Sequence, residues 1–360
     1  MEDVIRIGLA GYGRSGRNIH ANWLKKDSRF RIVAVADALP ERRAEAQAEL
    51  GCAVFEDYAA MLAAGGFDLF VNATPSRFHV EASLAAFRAG CHVVTEKPSA
   101  PTVADFDRIT AAADQAGKLL LPFQNSRFFP GYIKAKEIID SGKLGRIIAI
   151  RLNWSGFARR WDWQTRLDQM AGNLFNTGPH PLDMAITLFG DTMPNVFCRM
   201  DAHHWNFGGD ADNFCALTLY GDHAPTIELH ISSFLAYPQG DQLNVQGTLG
   251  GLAGSMTELK WKYFDPQIAP RHDFWSPWSD QRKYCSETLP WEEYRWTAPP
   301  PMRGANWFDG IVPAFYDDLH AVLVQGRPRS IRLDQVRRQV AVLEEAHRQN
   351  PLVPKALNLD

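Results

Sequence analysis

Two side chains in this 360-residue sequence, Lys97 and His180, have the types and settings that oxidation of an alcohol needs. Taking hydride from a secondary carbinol requires a base for the hydroxyl proton and a cation or donor for the oxygen on which charge gathers. Lys97 stands in Glu96-Lys97-Pro98, directly after the strand-like run Cys91–Thr95. That places it at the carboxyl edge of a sheet, where doubly wound folds put their ligands. Pro98 restrains the backbone beside it, and Glu96 offers a carboxylate for the ammonium or for a cofactor hydroxyl. His180 stands in the run Gly172 to Asp183, and Leu182, Ala185, Ile186 and Phe189 continue it as an apolar stripe. His180 and Asp183 therefore belong to the first turns of an amphipathic helix and share a face at i and i+3. A helix N-terminus disfavours imidazolium, which keeps the ring able to accept a proton. Taken singly, each residue has a plainer reading: a surface lysine, and a histidine that caps or packs beside prolines.

Hydride also needs an acceptor, and Gly11-Tyr12-Gly13-Arg14-Ser15-Gly16 provides a place for one. This G-x-G-x-x-G follows the strand-like Val4–Ala10 directly and precedes a helix candidate directly. In that setting the first glycine permits a tight turn, the second lets backbone approach a pyrophosphate, and the third allows close helix-to-strand packing. Asp37 ends the next strand at about the 20-residue distance expected of a ribose-binding carboxylate. Its charge would repel a 2′-phosphate, so NAD is favoured over NADP, although Arg42 and Arg43 follow closely enough to reach such a phosphate. The other reading of Asp37 is a helix N-cap ahead of Pro40 and Glu41.

The elements that must position these groups fall into two textures. From Val4 to Phe123, short apolar runs (Val4–Ala10, Phe30–Asp37, Phe67–Asn72, Cys91–Thr95, Leu119–Phe123) alternate with Ala-rich helix candidates at Asn18–Lys25, Glu41–Leu50, Val80–Arg88 and Val103–Ala116. This is a parallel sheet covered on both faces, and residues 1–123 read as one dinucleotide-binding domain. Residues 124–360 read as a substrate and oligomerisation domain. After a helix candidate at Ile133–Ser141, alternating runs at Ile147–Trp154, Asn195–Met200, Asn213–Tyr220, Thr226–Ser232 and Leu243–Gln246 predict antiparallel strands. The stretch from Lys260 to Trp307, rich in aromatic residues and proline, has no clear period and reads as a long ordered excursion. Helices at about Phe308–Val324 and Leu333–Arg348 close the chain.

Composition narrows the partners. The net charge of −3, from 38 basic and 41 acidic residues, gives no positive field for nucleic acid or anionic lipid. No apolar run of about 18 residues suggests a membrane span, and the first strand begins too early for a secretory leader. The five cysteines, Cys52, Cys91, Cys198, Cys215 and Cys285, are scattered and never spaced Cys-x-x-Cys, so buried thiols in a reducing, cytoplasmic setting are expected. His203 and His204 are adjacent rather than at ligand spacing, and no metal site is expected.

With these residues in place, the chain resembles the glucose-fructose oxidoreductase and inositol dehydrogenase family, Gfo/Idh/MocA. The likeness rests on Gly11 to Gly16, on Asn72-Ala73-Thr74-Pro75 with His79, on Glu96-Lys97-Pro98, on Asn125-Ser126-Arg127-Phe128 leading to Lys143-Leu144-Gly145-Arg146-Ile147, and on Gly172 to Asp183. The resemblance implies an α/β Rossmann doubly wound domain plus an α+β domain whose large, open-faced, mostly antiparallel sheet forms homo-dimers or homo-tetramers. It implies a cis bond at Lys97-Pro98. The implied cofactor set is Gly11, Tyr12, Gly13, Arg14, Ser15, Gly16, Asp37, Thr74, Pro75, His79, Glu96, Lys97 and Asn125. Lys97 would polarise the hydroxyl, His180 would be the acid/base, and Asp183 would bind substrate or orient the histidine. Arg127, Trp163 and Asn176 complete the substrate candidates, with Trp161 nearby. One departure stands out: where the family carries aspartate four residues before the histidine, this chain has Asn176, which cannot hold a negative charge. The implied substrate is a sugar, a sugar derivative or an inositol. Two alternatives remain open, a redox-neutral NAD-using glycosidase or epimerase and a non-catalytic dinucleotide or sugar sensor.

Overall fold

The computed structural model describes residues 4–205, 208–238, 240–272, 286–300, 302 and 308–353. Among the described residues six strands, β1 (Ile5–Ala10), β2 (Phe30–Ala36), β3 (Ala53–Phe55), β4 (Leu69–Asn72), β5 (His92–Thr95) and β6 (Leu120–Pro122), form one sheet in the order β3-β2-β1-β4-β5-β6. All its pairs are parallel. Strands buried on both faces need continuous apolar runs, and Leu69-Phe70-Val71-Asn72 is buried throughout. Strand order reverses between β1 and β4, so a crevice opens above their carboxyl ends, where the glycine turn and Asn72–Pro75 lie. The helix after the glycine turn departs from expectation. It begins as a π-helix, Gly16–Ala21, and only then becomes α-helical at Asn22–Leu24.

Eight further strands among the described residues form the second sheet: β7 (Ile147–Ser155), β8 (Asn195–Asp201), β9 (Phe214–Tyr220), β10 (Thr226–Ser232), β11 (Leu243–Gly247), β12 (Gly250–Gly254), β13 (Glu258–Tyr263) and β14 (Glu292–Thr297). Their order is β14-β13-β12-β11-β7-β10-β9-β8. Every pair is antiparallel except β7 with β10, which run parallel, an arrangement that the long connection between them permits. Alternation sends Ile150 and Leu152 of β7, Leu217 and Leu219 of β9, and Ile227 and Leu229 of β10 to one buried face. Helices Pro130–Asp140, Pro179–Phe189 and Leu333–Gln349 pack against this sheet. Its other face is open and carries a shallow cavity of about 740 Å³ near Lys260, Lys262, Trp291 and Arg295.

Strands β13 and β14 replace part of the aromatic excursion expected after Lys260. Trp261 and Tyr294 stack across them with ring centroids 5.3 Å apart. Phe274, Trp275, Trp278, Tyr284, Cys285 and Trp307 of that stretch lie outside the described residues. The other four cysteines are buried free thiols. The last helix returns to bind both sheets together. Gln339 accepts from Gln124 Nε2 at 2.5 Å and donates to the carbonyl of Pro179 at 2.6 Å, tying the end of β6 to the helix that begins beside His180.

Candidate active site

The glycine turn closes only with glycine at its ends. Gly11 has φ of +89°, and a Cβ there would meet the Ala73 carbonyl oxygen at 2.4 Å. A Cβ on Gly16 would sit 1.8 Å from the Gly11 oxygen. Gly13 differs: its nearest neighbour in that direction is Arg42 Nη1 at 3.4 Å, so its backbone lies open to the crevice. Asp37 secures the turn from the end of β2. Its Oδ2 accepts the Tyr12 N–H at 2.7 Å, its Oδ1 accepts the Leu39 N–H at 3.0 Å, and Arg42 Nη1 stands 3.6 Å from Oδ2. Asp37 is not the N-cap of the following helix, a position that falls to Leu39. The Tyr12 side chain turns inward and donates to Glu49 at 2.8 Å, so this residue meets the turn only through its main chain.

Above the turn lies a groove of about 360 Å³ that gathers most of the expected residues. Gly11, Gly13, Arg14, Ser15, Asp37, Thr74, Pro75, His79, Glu96, Lys97, Asn125, Trp163, Asn176 and His180 all line it. Tyr12 and Gly16 of the expected cofactor set, and Arg127, Asp183 and Trp161 of the substrate candidates, are not among its lining residues. Sequence reasoning missed Ser76, Phe123, Arg160, Asp162 and Gln164, which also face it. The last three come from an irregular loop after β7 that carries no motif. Its sequence signal was only a run of polar and tryptophan residues after a strand.

Lys97 and His180 come from different sheets' connections and meet here. The Lys97-Pro98 bond is cis. The Lys97 ammonium donates to the main-chain carbonyl of Asn176 at 2.6 Å, while Glu96 Oε2 accepts the Lys97 N–H at 3.1 Å rather than the ammonium. Burial lowers the lysine's pKa; Glu96 pulls it back up, and the cations Arg14 and Arg160 push it further down. His180 is driven down to about 3, first by burial and then by the charge of Lys97, with Glu96 opposing and Arg14 assisting. Its Nδ1 is buried and finds no hydrogen-bond partner among the described residues. A neutral imidazole that lines the groove beside a cation is able to accept a proton. His79, by contrast, is fully engaged: its Nδ1 lies 2.8 Å from the Pro98 carbonyl oxygen and its Nε2 lies 2.9 Å from that of Thr74. It braces the Lys97 turn against the turn after β4.

Asp183 and Arg127 pair with each other. Arg127 Nη2 donates to Asp183 Oδ1 at 2.9 Å, Nε donates to Oδ2, and the two side chains are 9% and 0% exposed. Burial alone would lower the guanidinium's pKa, but Asp183 more than offsets it and holds Arg127 protonated. One helical turn separates His180 from a residue committed to this pair, so the pair anchors the helix that presents the histidine. Arg127→Met is expected to cost about 3–5 kcal/mol of stability, because it strands a buried carboxylate. Burial favours the neutral acid, so the loss should grow as pH rises, and denaturant titration at acid and neutral pH reads it. Adding Asp183→Leu should recover much of the deficit.

Asn176 offers its carbonyl to Lys97, and its side-chain Nδ2 donates to the Gln164 carbonyl at 3.3 Å. The residue therefore connects the Lys97 turn to the loop that carries Arg160, Asp162 and Trp163.

Known proteins show the same pattern. Residues 5–123 match the oxidoreductase family with an NAD-binding Rossmann fold, Gfo/Idh/MocA, and residues 132–253 match the Gfo/Idh/MocA C-terminal domain. The scyllo-inositol 2-dehydrogenase (NADP(+)) IolW of Bacillus subtilis is 28% identical over 192 residues, 52% of this chain and 52% of its own. The D-glucoside 3-dehydrogenase of Escherichia coli is 31% identical over 190 residues, 52% of this chain and 54% of its own. The chain thus spans about half the length of these curated relatives. For the inositol 2-dehydrogenase of Rhizobium meliloti, 28% identical over 258 residues, the shares are 69% and 75%. In fold the likeness runs end to end. An NAD-binding protein from Listeria innocua superposes with a TM-score of 0.78 at 22% identity, covering 98% of this chain and 99% of its own. The WlbA dehydrogenase from Bordetella pertussis, solved with NADH and UDP-GlcNAcA, gives 0.75 at 22% identity, covering 99% and 100%. With matches to both of its sheets, the chain belongs to the Gfo/Idh/MocA family of NAD(P)-binding oxidoreductases.

Proposed function

We propose that the protein is an NAD-dependent dehydrogenase that moves hydride between a nicotinamide and a hydroxyl of a sugar, a sugar derivative or an inositol. One observation carries this reading: Lys97 and His180 line the same groove as the glycine turn and Asp37. The open backbone at Gly13 suits a pyrophosphate, and Asp37 keeps unused acceptor capacity for ribose hydroxyls. Its negative charge supports NAD over NADP; Arg42, 3.6 Å away, is the residue that would oppose that choice. A bound nicotinamide supplies the hydride acceptor. The chain's own part is to hold the carbinol oxygen against the Lys97 ammonium and to receive its proton on the neutral imidazole of His180, which lines the groove. Residues 1–123 serve as the dinucleotide unit and 124–360 as the substrate unit in this reading, with the open face of the second sheet available to a second copy. The named relatives, dehydrogenases of an inositol and of a glucoside, support the substrate class.

Incubation with NAD or NADP and a panel of pyranoses, sugar acids and inositols should produce the absorbance of the reduced nicotinamide, NADH or NADPH, with at least one polyol. Tight NADH binding with no turnover across the panel would sink the proposal. Asn176→Asp separates an impaired site from an adapted one. A carboxylate cannot donate to the Gln164 carbonyl, so the substitution should raise KM roughly tenfold at neutral pH and recover toward acid pH, where the carboxyl regains a proton. A gain in turnover at neutral pH would mean instead that asparagine weakens the native site.

A further inference from the structure

Beneath the groove, a buried hydrogen-bonded chain runs from the far end of the sequence to the Lys97 turn. The hydroxyl of Tyr316, on helix Phe308–Gln325, lies 2.8 Å from Nδ1 of His20, and Nε2 of His20 lies 3.3 Å from Oε1 of Glu96. Glu96 Oε2 takes the Lys97 N–H. His20 and Tyr316 are both fully buried, and neither lines the groove; Glu96 does. A carboxylate so placed needs donors, because a buried charge without them is costly. Glu96 can only accept, so His20 must present Nε2–H to it. That leaves Nδ1 as acceptor, and the Tyr316 O–H is the group that faces it. One pattern of protons thus satisfies all three side chains. Burial, aided by the charge of Glu96, holds the Tyr316 phenol far above its ordinary range, so it stays a donor. Phe123 packs on the imidazole with ring centroids 4.5 Å apart and Tyr316 meets it edge-on, which denies the ring another orientation.

We propose that His20 and Tyr316 are positioning residues that keep Glu96 an oriented carboxylate next to Lys97, so that a helix from the end of the chain sets the charge balance of the groove. The role of Glu96 in catalysis rests on the dehydrogenase reading above, but the proton pattern does not. The groups that face Glu96 are His20, Lys97 and His79, with Tyr316 beyond. Burial by itself would raise its pKa, yet the His20 hydrogen bond and the electrostatic pull of His20, Lys97 and His79 bring it down to about 2. Losing the His20 donor removes the largest of those opposing effects, and the carboxyl should then take up a proton at higher pH.

Infrared difference spectra of the full chain, with Glu96→Gln as the subtraction, read this carboxyl directly. In the native protein it should stay ionised from about pH 8 down to about pH 5. In His20→Leu a protonated carboxyl should appear within that window. His20→Gln retains an N–H in the same place and should titrate like the native protein, while Tyr316→Phe, which frees Nδ1 and lets the imidazole change tautomer, should fall between. NADH binding, followed by nicotinamide fluorescence, identifies which variants remain folded. In turnover, His20→Leu should gain an acid limb of roughly tenfold between the same limits, absent once Glu96 is already Gln. A folded His20→Leu whose carboxyl stays ionised throughout, or a His20→Gln that behaves like it, overturns the proposal. If His20→Leu does not fold, a Tyr316→Phe that titrates like the native protein does the same. Because the infrared reading follows Glu96 whatever the enzyme oxidises, it fails separately from the dehydrogenase reading.

Discussion

Lys97→Met is expected to lower kcat/KM for polyol oxidation by about 10²–10³-fold, the loss that follows removal of one donor aimed at a developing oxyanion. Methionine keeps the unbranched apolar stem and removes the charge, so NADH fluorescence titration should show the dinucleotide still bound. The expected size follows from how the ammonium is held. One of its three protons is committed to the Asn176 carbonyl at 2.6 Å, which leaves two for a substrate oxygen, and the direction is set before any charge develops. The pH dependence has a definite sign. Burial, with Arg14 and Arg160, holds the lysine's pKa below its usual value despite Glu96. As pH rises through that lowered value the cation is lost, so turnover should decline on the alkaline side before free lysine would titrate, at about 10.4. Lys97→Arg should abolish this limb, because guanidinium does not titrate there, yet remain slow because a planar fork cannot retrace the ammonium's contacts. Unchanged turnover in Lys97→Met would take the ammonium out of the chemistry altogether.

Much of this site was legible because its parts are local. The glycine turn announces itself as a strand, three glycines and a helix within a few residues, and Asp37 follows at fixed distance on the next strand. Glu96-Lys97-Pro98 is legible for the same reason. What the sequence hid is non-local or belongs to the main chain. Arg127 and Asp183 are 56 residues apart, and nothing in either neighbourhood says that they neutralise each other. The contact between Lys97 and Asn176 uses a backbone carbonyl, which every residue owns, so no side-chain type could signal it. His20 and Tyr316 meet across 296 residues. Among the strands, β3 was missed because three residues, none of them fully buried, make too short a pattern to read. Strand β12 is mostly glycine, and β14 faces solvent along nearly its whole length, so neither shows the alternation that revealed β9 and β10.

His180→Asn should reduce kcat by about 10²–10⁴-fold, the range of a lost general base, with little change in KM for NAD. Asparagine can still hydrogen-bond a hydroxyl, so it keeps a donor and acceptor in place while removing the ability to carry off a proton. A free imidazole held to about 3 is a weak base, which at first argues against the role. The causes of that value answer the objection. After burial, the largest of them is the positive charge on Lys97, and that charge is met by the substrate oxygen as its proton leaves. The forming alkoxide therefore raises the basicity of His180 at the moment the proton moves. Proton transfer and oxyanion stabilisation are thus coupled through the same pair of residues, and the two substitutions should not add: Lys97→Met with His180→Asn should be little slower than the worse of the two alone. The same coupling fixes the acid side of the profile. The ligand-free histidine stays neutral far below pH 6, so kcat/KM should show no limb near the ordinary histidine value of about 6.5. A limb there that His180→Asn abolishes would mean that Lys97 does not act on the imidazole, and the coupled mechanism would have to be given up.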